Sequence, residues 1–163
     1  MRKSTIVETA VGRTKVINIT GATVGATATT YASGDLIGGK ITLTDAALEV
    51  GSESTLVSVT LGDLDKQDIA LDLVVFNADP TGTTFTDDAA LDIADADIPK
   101  ICGVTSIDTY YDFNDNSVAT KPNIGIVCEA VGGDDLYACL VSRGAGTYSA
   151  NGLSLILTFY QDF

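Results

Sequence analysis

The chain reads as an all-β protein: an antiparallel β-sandwich, with a jelly roll the expected topology, one short helix and an extended N-terminal arm. Three observations predict this. Stretches of apolar residues alternating with Ser and Thr recur from Tyr31 to Gln161, and a period of two is the mark of a half-buried strand. Clusters of Gly, Asn and Asp separate these stretches at short intervals, which supplies the turns that join many strands. Only one stretch favours a helix. With 163 residues, 45% hydrophobic and 19% charged, the chain suits one domain with a real core.

Residues 1–30 stand apart in composition. Ser4 to Thr30 is built almost wholly from Thr, Val, Ile, Ala and Gly. Thr14 to Thr20 is a candidate strand, but little in 21–30 would anchor a core. The expectation is an extended arm over 1–30, ordered by contact with something else, and a β-sandwich domain over 31–163.

Within the body, Leu36 to Thr44 contains Gly38-Gly39, which predicts a strand with a bulge or bend. Thr55 to Leu61 alternates, placing Val57, Val59 and Leu61 on one face. Ile69 to Phe76 puts Ile69, Leu71, Leu73 and Val75 on one face. Its other face, Ala70, Asp72, Val74 and Phe76, turns apolar towards the end, so this strand is expected to pass beneath another layer. Lys100 to Ile107, Asn123 to Ala130, Asp134 to Arg143 and Leu153 to Gln161 continue the series. Val131-Gly132-Gly133 is a hairpin signal between two of them, and Gly144-Ala145-Gly146 and Asn151-Gly152 mark further turns. The helix is expected at Thr86 to Asp97, with Thr86 as cap, Asp87 and Asp88 in the first turn and Pro99 as terminator.

Composition excludes much chemistry. The chain has no His and no Trp, so no Ser-His-Asp triad, Cys-His pair or His-ligated metal centre can form within it. Neither phosphate-binding glycine signature is present. The formal charge is −13, which argues against a nucleic-acid binder, since phosphate is neutralised by Lys and Arg. No apolar run approaches a membrane span, and the basic Met1 to Lys3 is not followed by the apolar segment of a secretory signal. The expectation is therefore no catalytic residue, no cofactor, no metal, no nucleic acid and no membrane.

Some constellations still merit a test. Asp112, Asn114 and Asn116 match the first positions of a calcium loop, but Ser117 and Asn123 stand where that loop needs Gly and Glu. Asn77, Asp79, Asp87 and Asp88 could gather oxygens at a loop apex. Turn chemistry explains both groups. With 18 Asp and four Glu among 163 residues, a carboxylate pair at glycosidase spacing carries no information; Glu129, inside an apolar strand, is expected to point outward. Tyr110-Tyr111-Asp112-Phe113 could form a sugar platform or an oligomer contact. Cys102, Cys128 and Cys139 each lie in apolar surroundings with no C-x-x-C. The first expectation is three reduced, buried thiols; one disulfide with a leftover thiol and a three-Cys metal site are the alternatives.

Charge is unevenly spread. Residues 1–15 carry Arg2, Lys3, Arg13 and Lys15 against Glu8 alone, a balance of +3, leaving −16 for the rest. These four basic residues are the candidate docking group of the arm, meeting an acidic partner while the acidic bodies repel one another.

The blocks Tyr31 to Ala47, Ser54 to Ile107 and Asp135 to Asp162 resemble a group of small proteins common in the structural-gene modules of tailed bacteriophages and prophages. LDLVVFNADPTGTTFTDDAA (Leu71 to Ala90) and the LYACLVSRG…YQD ending carry the resemblance best. It spans residues 31 to 162 and leaves out the first 30. The resemblance implies assembly rather than catalysis: a non-enzymatic virion protein, in the first place a capsid decoration (cement) or auxiliary head protein. Its implied partners are the major capsid protein and itself, as a homotrimer. The implied location is the phage head surface, after assembly in the bacterial cytoplasm. A tail, baseplate or head-fibre component, including one that binds host glycans, is the alternative.

Overall fold

The computed structural model describes residues 12–162. Its strands are β1 (Arg13–Ile19), β2 (Thr29–Tyr31), β3 (Leu36–Leu43), β4 (Glu53–Asp63), β5 (Leu71–Phe76), β6 (Ile101–Ile107), β7 (Tyr110–Asp112), β8 (Ser117–Lys121), β9 (Ile126–Glu129), β10 (Leu136–Ser142), β11 (Gly146–Tyr148) and β12 (Leu153–Gln161). A single helical turn, α1 (Gly21–Val24), follows β1, and a 3₁₀ turn spans Ile98–Lys100.

Two sheets face each other. One runs β1-β12-β4-β8-β7, with β9 pairing the start of β4 on the same edge that β8 pairs further along; the second runs β3-β10-β5-β6. Every pairing is antiparallel. The chain passes repeatedly from one sheet to the other, so the orders 1-12-4 and 3-10-5-6 interleave early and late strands. That interleaving is the jelly-roll form of sandwich. A two-stranded ribbon of β2 and β11 joins at one end.

The core lies between the sheets. Leu56, Val59 and Leu61 of β4 and Leu153, Leu155, Leu157 and Phe159 of β12 meet Ile41, Leu43, Leu71, Leu73, Val75 and Leu140 from the other sheet. Alternation works as expected on β12, whose odd positions are buried and whose even ones are exposed or half-buried. On β4 it breaks. The register shifts between Thr158 and Phe159 opposite it, and the extra residue turns Val57 out to solvent while Leu56 takes the core position. Gly38 sits at φ +70° with the Val24 carbonyl against it, and β3 shifts register opposite Ala138 and Leu140; only glycine tolerates that close approach.

A second apolar cluster lies on the outer face of the four-stranded sheet. Leu36, Val74, Phe76, Cys139 and Val141 are covered by Phe85, Leu91 and Ile93, which come from the long connection between β5 and β6. Phe76 and Phe85 meet edge to face, with centroids 6.3 Å apart. The layer expected above β5 is thus this connection.

That connection is not helical. Residues 86–97 form turns and an isolated bridge between Asp35 and Ala90, in place of the helix expected there. Asp88 adopts φ +58°, and the Asp87 carboxylate accepts from Gly38 N at 2.5 Å and from Tyr31 Oη at 2.8 Å. Tertiary partners outbid the weak helix propensity of an Asp-rich segment. The glycine pair after Ala130 is likewise not a hairpin: β9 pairs β4 while β10 pairs β3 and β5. The turn there carries the chain between sheets.

Residues 1–11 of the expected arm lie outside the described residues. From Arg13 the chain belongs to the body. β1 pairs β12 along seven positions and buries Ile17 and Ile19, and beyond it Val24, Ala26 and Tyr31 are buried too. The Thr-rich stretch is an edge strand because its alternate residues are β-branched and apolar.

Candidate functional site

The cysteines depart from the first expectation. Cys102 of β6 and Cys128 of β9 form a disulfide, with Cα atoms 5.4 Å apart. The bond joins the two sheets, since β6 and β9 belong to different ones. Cys139 is a buried free thiol, and burial raises its pKa to about 12, so it stays protonated and inert as a nucleophile. The thiols are not all reduced because alternation on two facing strands brings 102 and 128 together, which linear sequence does not display.

The acidic residues mostly serve their own loops. Asp63 is fully buried and accepts from the backbone N–H groups of Asp65, Gln67 and Asp68, closing the turn after β4. Asp97 is also buried; it accepts from Lys100 Nζ at 2.7 Å and Thr83 Oγ1 at 2.8 Å. The Lys100 hydrogen bond is the main reason its pKa lies below the ordinary carboxylate value. Thr83 Oγ1 in turn accepts from Ala94 N at 3.1 Å, so the long connection is pinned at its centre.

The two loop constellations do not converge. Asp112 faces Lys66 at 3.5 Å, and Asn116 closes a tight turn by accepting from Phe113 N at 2.8 Å. Asp79 pairs with Lys40, whereas Asp87 and Asp88 hold the threonines Thr27 and Thr29. A grouping the sequence reading missed is Asp45, Asp134 and Asp135, whose carboxylate oxygens lie within 4.8 Å of one another. Geometrically they could hold a cation. Asp45 already faces Lys15 at 3.6 Å, and Asp135 accepts from Asp45 N at 2.9 Å. Glu129 is exposed, as expected.

Of the basic candidates, Arg2 and Lys3 lie outside the described residues. Arg13 donates to Gln161 Oε1 at 2.8 Å, and Gln161 Nε2 donates to the Asp45 carbonyl at 2.8 Å. Arg13 and Lys15 therefore both fasten β1 to the body near Asp45. The aromatic candidates divide. Tyr110 is half-buried and donates to the Ile69 carbonyl at 2.6 Å, and burial raises its pKa. Tyr111 and Phe113 are exposed at 69% and 52%, their rings edge to face with centroids 5.1 Å apart. Tyr148 is buried with no hydrogen-bond partner for its hydroxyl, and burial raises its pKa as well.

No protein-family model matches the chain, and no curated protein sequence matches it. Solved structures show distant likenesses. A structure of infectious bursal disease virus, Gx strain, matches 91% of this chain and 33% of its own at 10% identity and TM-score 0.42. The cyanophage Pam1 capsid asymmetric unit matches 99% of this chain and 94% of its own at 16% identity and TM-score 0.29. A family two carbohydrate esterase from Cellvibrio japonicus matches 92% of this chain and 34% of its own at 8% identity and TM-score 0.25. The chain spans about one third of the length of the bursal disease virus chains it matches. At these scores the likenesses do not bear on function, and the β-sandwich assignment rests on the sheets described above.

Proposed function

We propose that the chain is a structural component of a tailed-phage particle, a decoration (cement) or auxiliary head protein that binds the major capsid lattice at the head surface and works by contact rather than by catalysis. The observation that carries this reading is how the body uses its acidic groups. Asp63, Asp87 and Asp97 are each engaged by backbone amides, hydroxyls or lysine of the chain's own loops, which is what a rigid building block needs. The sequence resemblance over residues 31–162 supports the same reading. A stapled sandwich with a −16 balance beyond residue 15 would keep free copies apart until they meet a lattice, where many equivalent contacts add up.

The test is co-sedimentation of the full chain with expanded empty heads of the phage that encodes it. Saturable binding at hundreds of copies per head is expected. No binding, or a few copies per particle, overturns the reading. Removing residues 1–11 asks whether Arg2 and Lys3 contribute: the body should stay folded and bind more weakly, most of all at low salt.

One observation favours a second reading, a tail, baseplate or head-fibre component that binds host glycans. The exposed Tyr111–Phe113 pair at the β7–β8 turn presents aromatic faces of the kind that stack on sugars. Glycan binding lost in Tyr111→Ala, together with a low copy number, would favour it over the first.

A further inference from the structure

The outer face of the larger sheet has no cover among the described residues, and it is free of charge. Outward positions follow from the register. Asn18, Ile156, Thr60 and Thr120 form one row across β1, β12, β4 and β8. Val16 and Tyr160 lie on neighbouring rows of the same face, and Val127 extends it onto β9. Val16, Val127, Ile156 and Tyr160 are 52%, 53%, 45% and 44% exposed. The remaining outward positions of β1, β12 and central β4 are Thr, Ser, Val and Gly. Charge begins at the border, where Glu53 lies opposite Glu129; on β7 the outward position is Tyr111, opposite Val118. Among the described residues, charge is kept to the border of this surface.

We propose that this face is where a second copy of the chain docks, sheet face to sheet face about a two-fold axis. Three arguments select that occupant. A partner bearing charge here would have to desolvate it against a surface that offers no counter-charge, which is costly; the partner surface must itself be uncharged, and the chain supplies one. A two-fold contact brings a patch against its own copy, so an uncharged patch meets an uncharged patch by symmetry. Elsewhere, copies of a −13 protein repel, so this is the direction of closest approach. The size also fits. Five strands in width and about four outward residues in length give a footprint of roughly 600 Å² at standard strand spacings, against about 800 Å² per partner in a stable interface. The proposal does not depend on the virion reading, because it concerns the free protein.

The experiment is sedimentation velocity on the full chain from micromolar to millimolar concentration, at low and high salt. A monomer–dimer equilibrium that tightens with salt is expected, because salt screens the repulsion of the bodies while the contact itself holds no ion pair. Ile156→Lys should weaken the dimer about 30-fold or more, as loss of a central contact does. Val104→Lys, on an exposed position of β6 in the other sheet, should leave it unchanged. Circular dichroism and thermal melting establish that each variant is folded; if Ile156→Lys does not fold, Thr60→Lys takes its place. A protein monomeric at millimolar concentration overturns the proposal. So does a trimer, a dimer that dissociates with added salt, or a dimer indifferent to both Ile156→Lys and Thr60→Lys. Heads that bind the protein only as a monomer through this face would overturn it in favour of a capsid partner, without touching the virion reading.

Discussion

The two sheets share one core and differ in what lies on their outer faces. The four-stranded sheet carries Val74, Phe76, Cys139 and Val141 outward, and residues 77–100 fold over them. The larger sheet carries Val16, Ile156 and Tyr160 outward under nothing in the described chain. The first face is strongly apolar and is buried intramolecularly, as the hydrophobic effect demands. The second is a mixture of β-branched apolar residues and threonine, polar enough to stay in water and uncharged enough to be covered by a like surface. One sheet is therefore finished by its own chain, while the other is left to be completed by contact.

The sharpest way to break this comparison is to shorten one residue on each face and compare stabilities. Phe76 is fully buried and stacks edge to face on Phe85. Phe76→Ala should cost about 3 to 5 kcal/mol in urea unfolding, the range for deleting a buried aromatic ring. A loss of about 0.5 kcal/mol or less, the usual range for exposed substitutions, would mean that the long connection does not seal the sheet.

The next largest effect comes from the bond that holds the two sheets together. Cys102 and Cys128 are 26 residues apart, and closing a loop of that length stabilises by about 3 to 4 kcal/mol in the chain-entropy model. Cys102→Ser with Cys128→Ser should lose that much, and reductant should lower the melting temperature of the native chain but not of the double variant. Equal melting with and without reductant would show that the staple is not formed in solution.

Legibility in the sequence follows the same division. Strands with clean alternation were readable: the register of β12 is visible in LSLILTFYQ, and the apolar second face of β5 announced a covering layer. Three features were not readable, each for a physical reason. The short strands β2, β7, β8 and β11 have three to five residues, too few for a period to show. The segment 86–97 has an ordinary helix signature, but Asp87 is worth more to the fold as a partner of Tyr31 and Gly38 than in the first turn of a helix. The Cys102–Cys128 pairing and the Asp45, Asp134 and Asp135 grouping depend on strands brought together from distant parts of the chain. Arg13 and Lys15 stand out in the sequence only by their charge, because their partners in the fold, Gln161 and Asp45, lie 148 and 30 residues away.

The lock within the covering connection gives a smaller, local effect. Asp97 is held below the ordinary carboxylate pKa chiefly by Lys100. A depressed folded-state value contributes stability that is fully present above the unfolded value, near pH 4, and is lost as pH falls through the folded value. Backbone resonances of Ala94, Asp97 and Lys100 should therefore hold steady through neutral pH and shift together only in acid. In Asp97→Asn that concerted step should vanish, while the strands of the larger sheet titrate as before. A step at or above the ordinary carboxylate value would show that the Lys100 contact is not made.

The smallest effect on stability is expected on the uncovered face, and its smallness is informative. Ile156 is 45% exposed and sits between Asn18 and Thr60. Ile156→Ala should change the unfolding free energy of the monomer by no more than about 0.5 kcal/mol at low protein concentration, as for most surface positions. At high concentration the same substitution should lower the apparent stability, because the native chain gains from self-association by mass action and the variant gains less. Melting curves of both proteins over a hundredfold range of concentration measure the difference. Curves that separate as concentration rises would show that the face is used between molecules. Curves separated by a constant, large amount at every concentration would show that Ile156 serves the monomer's own fold, and that the two outer faces differ less than their coverings suggest.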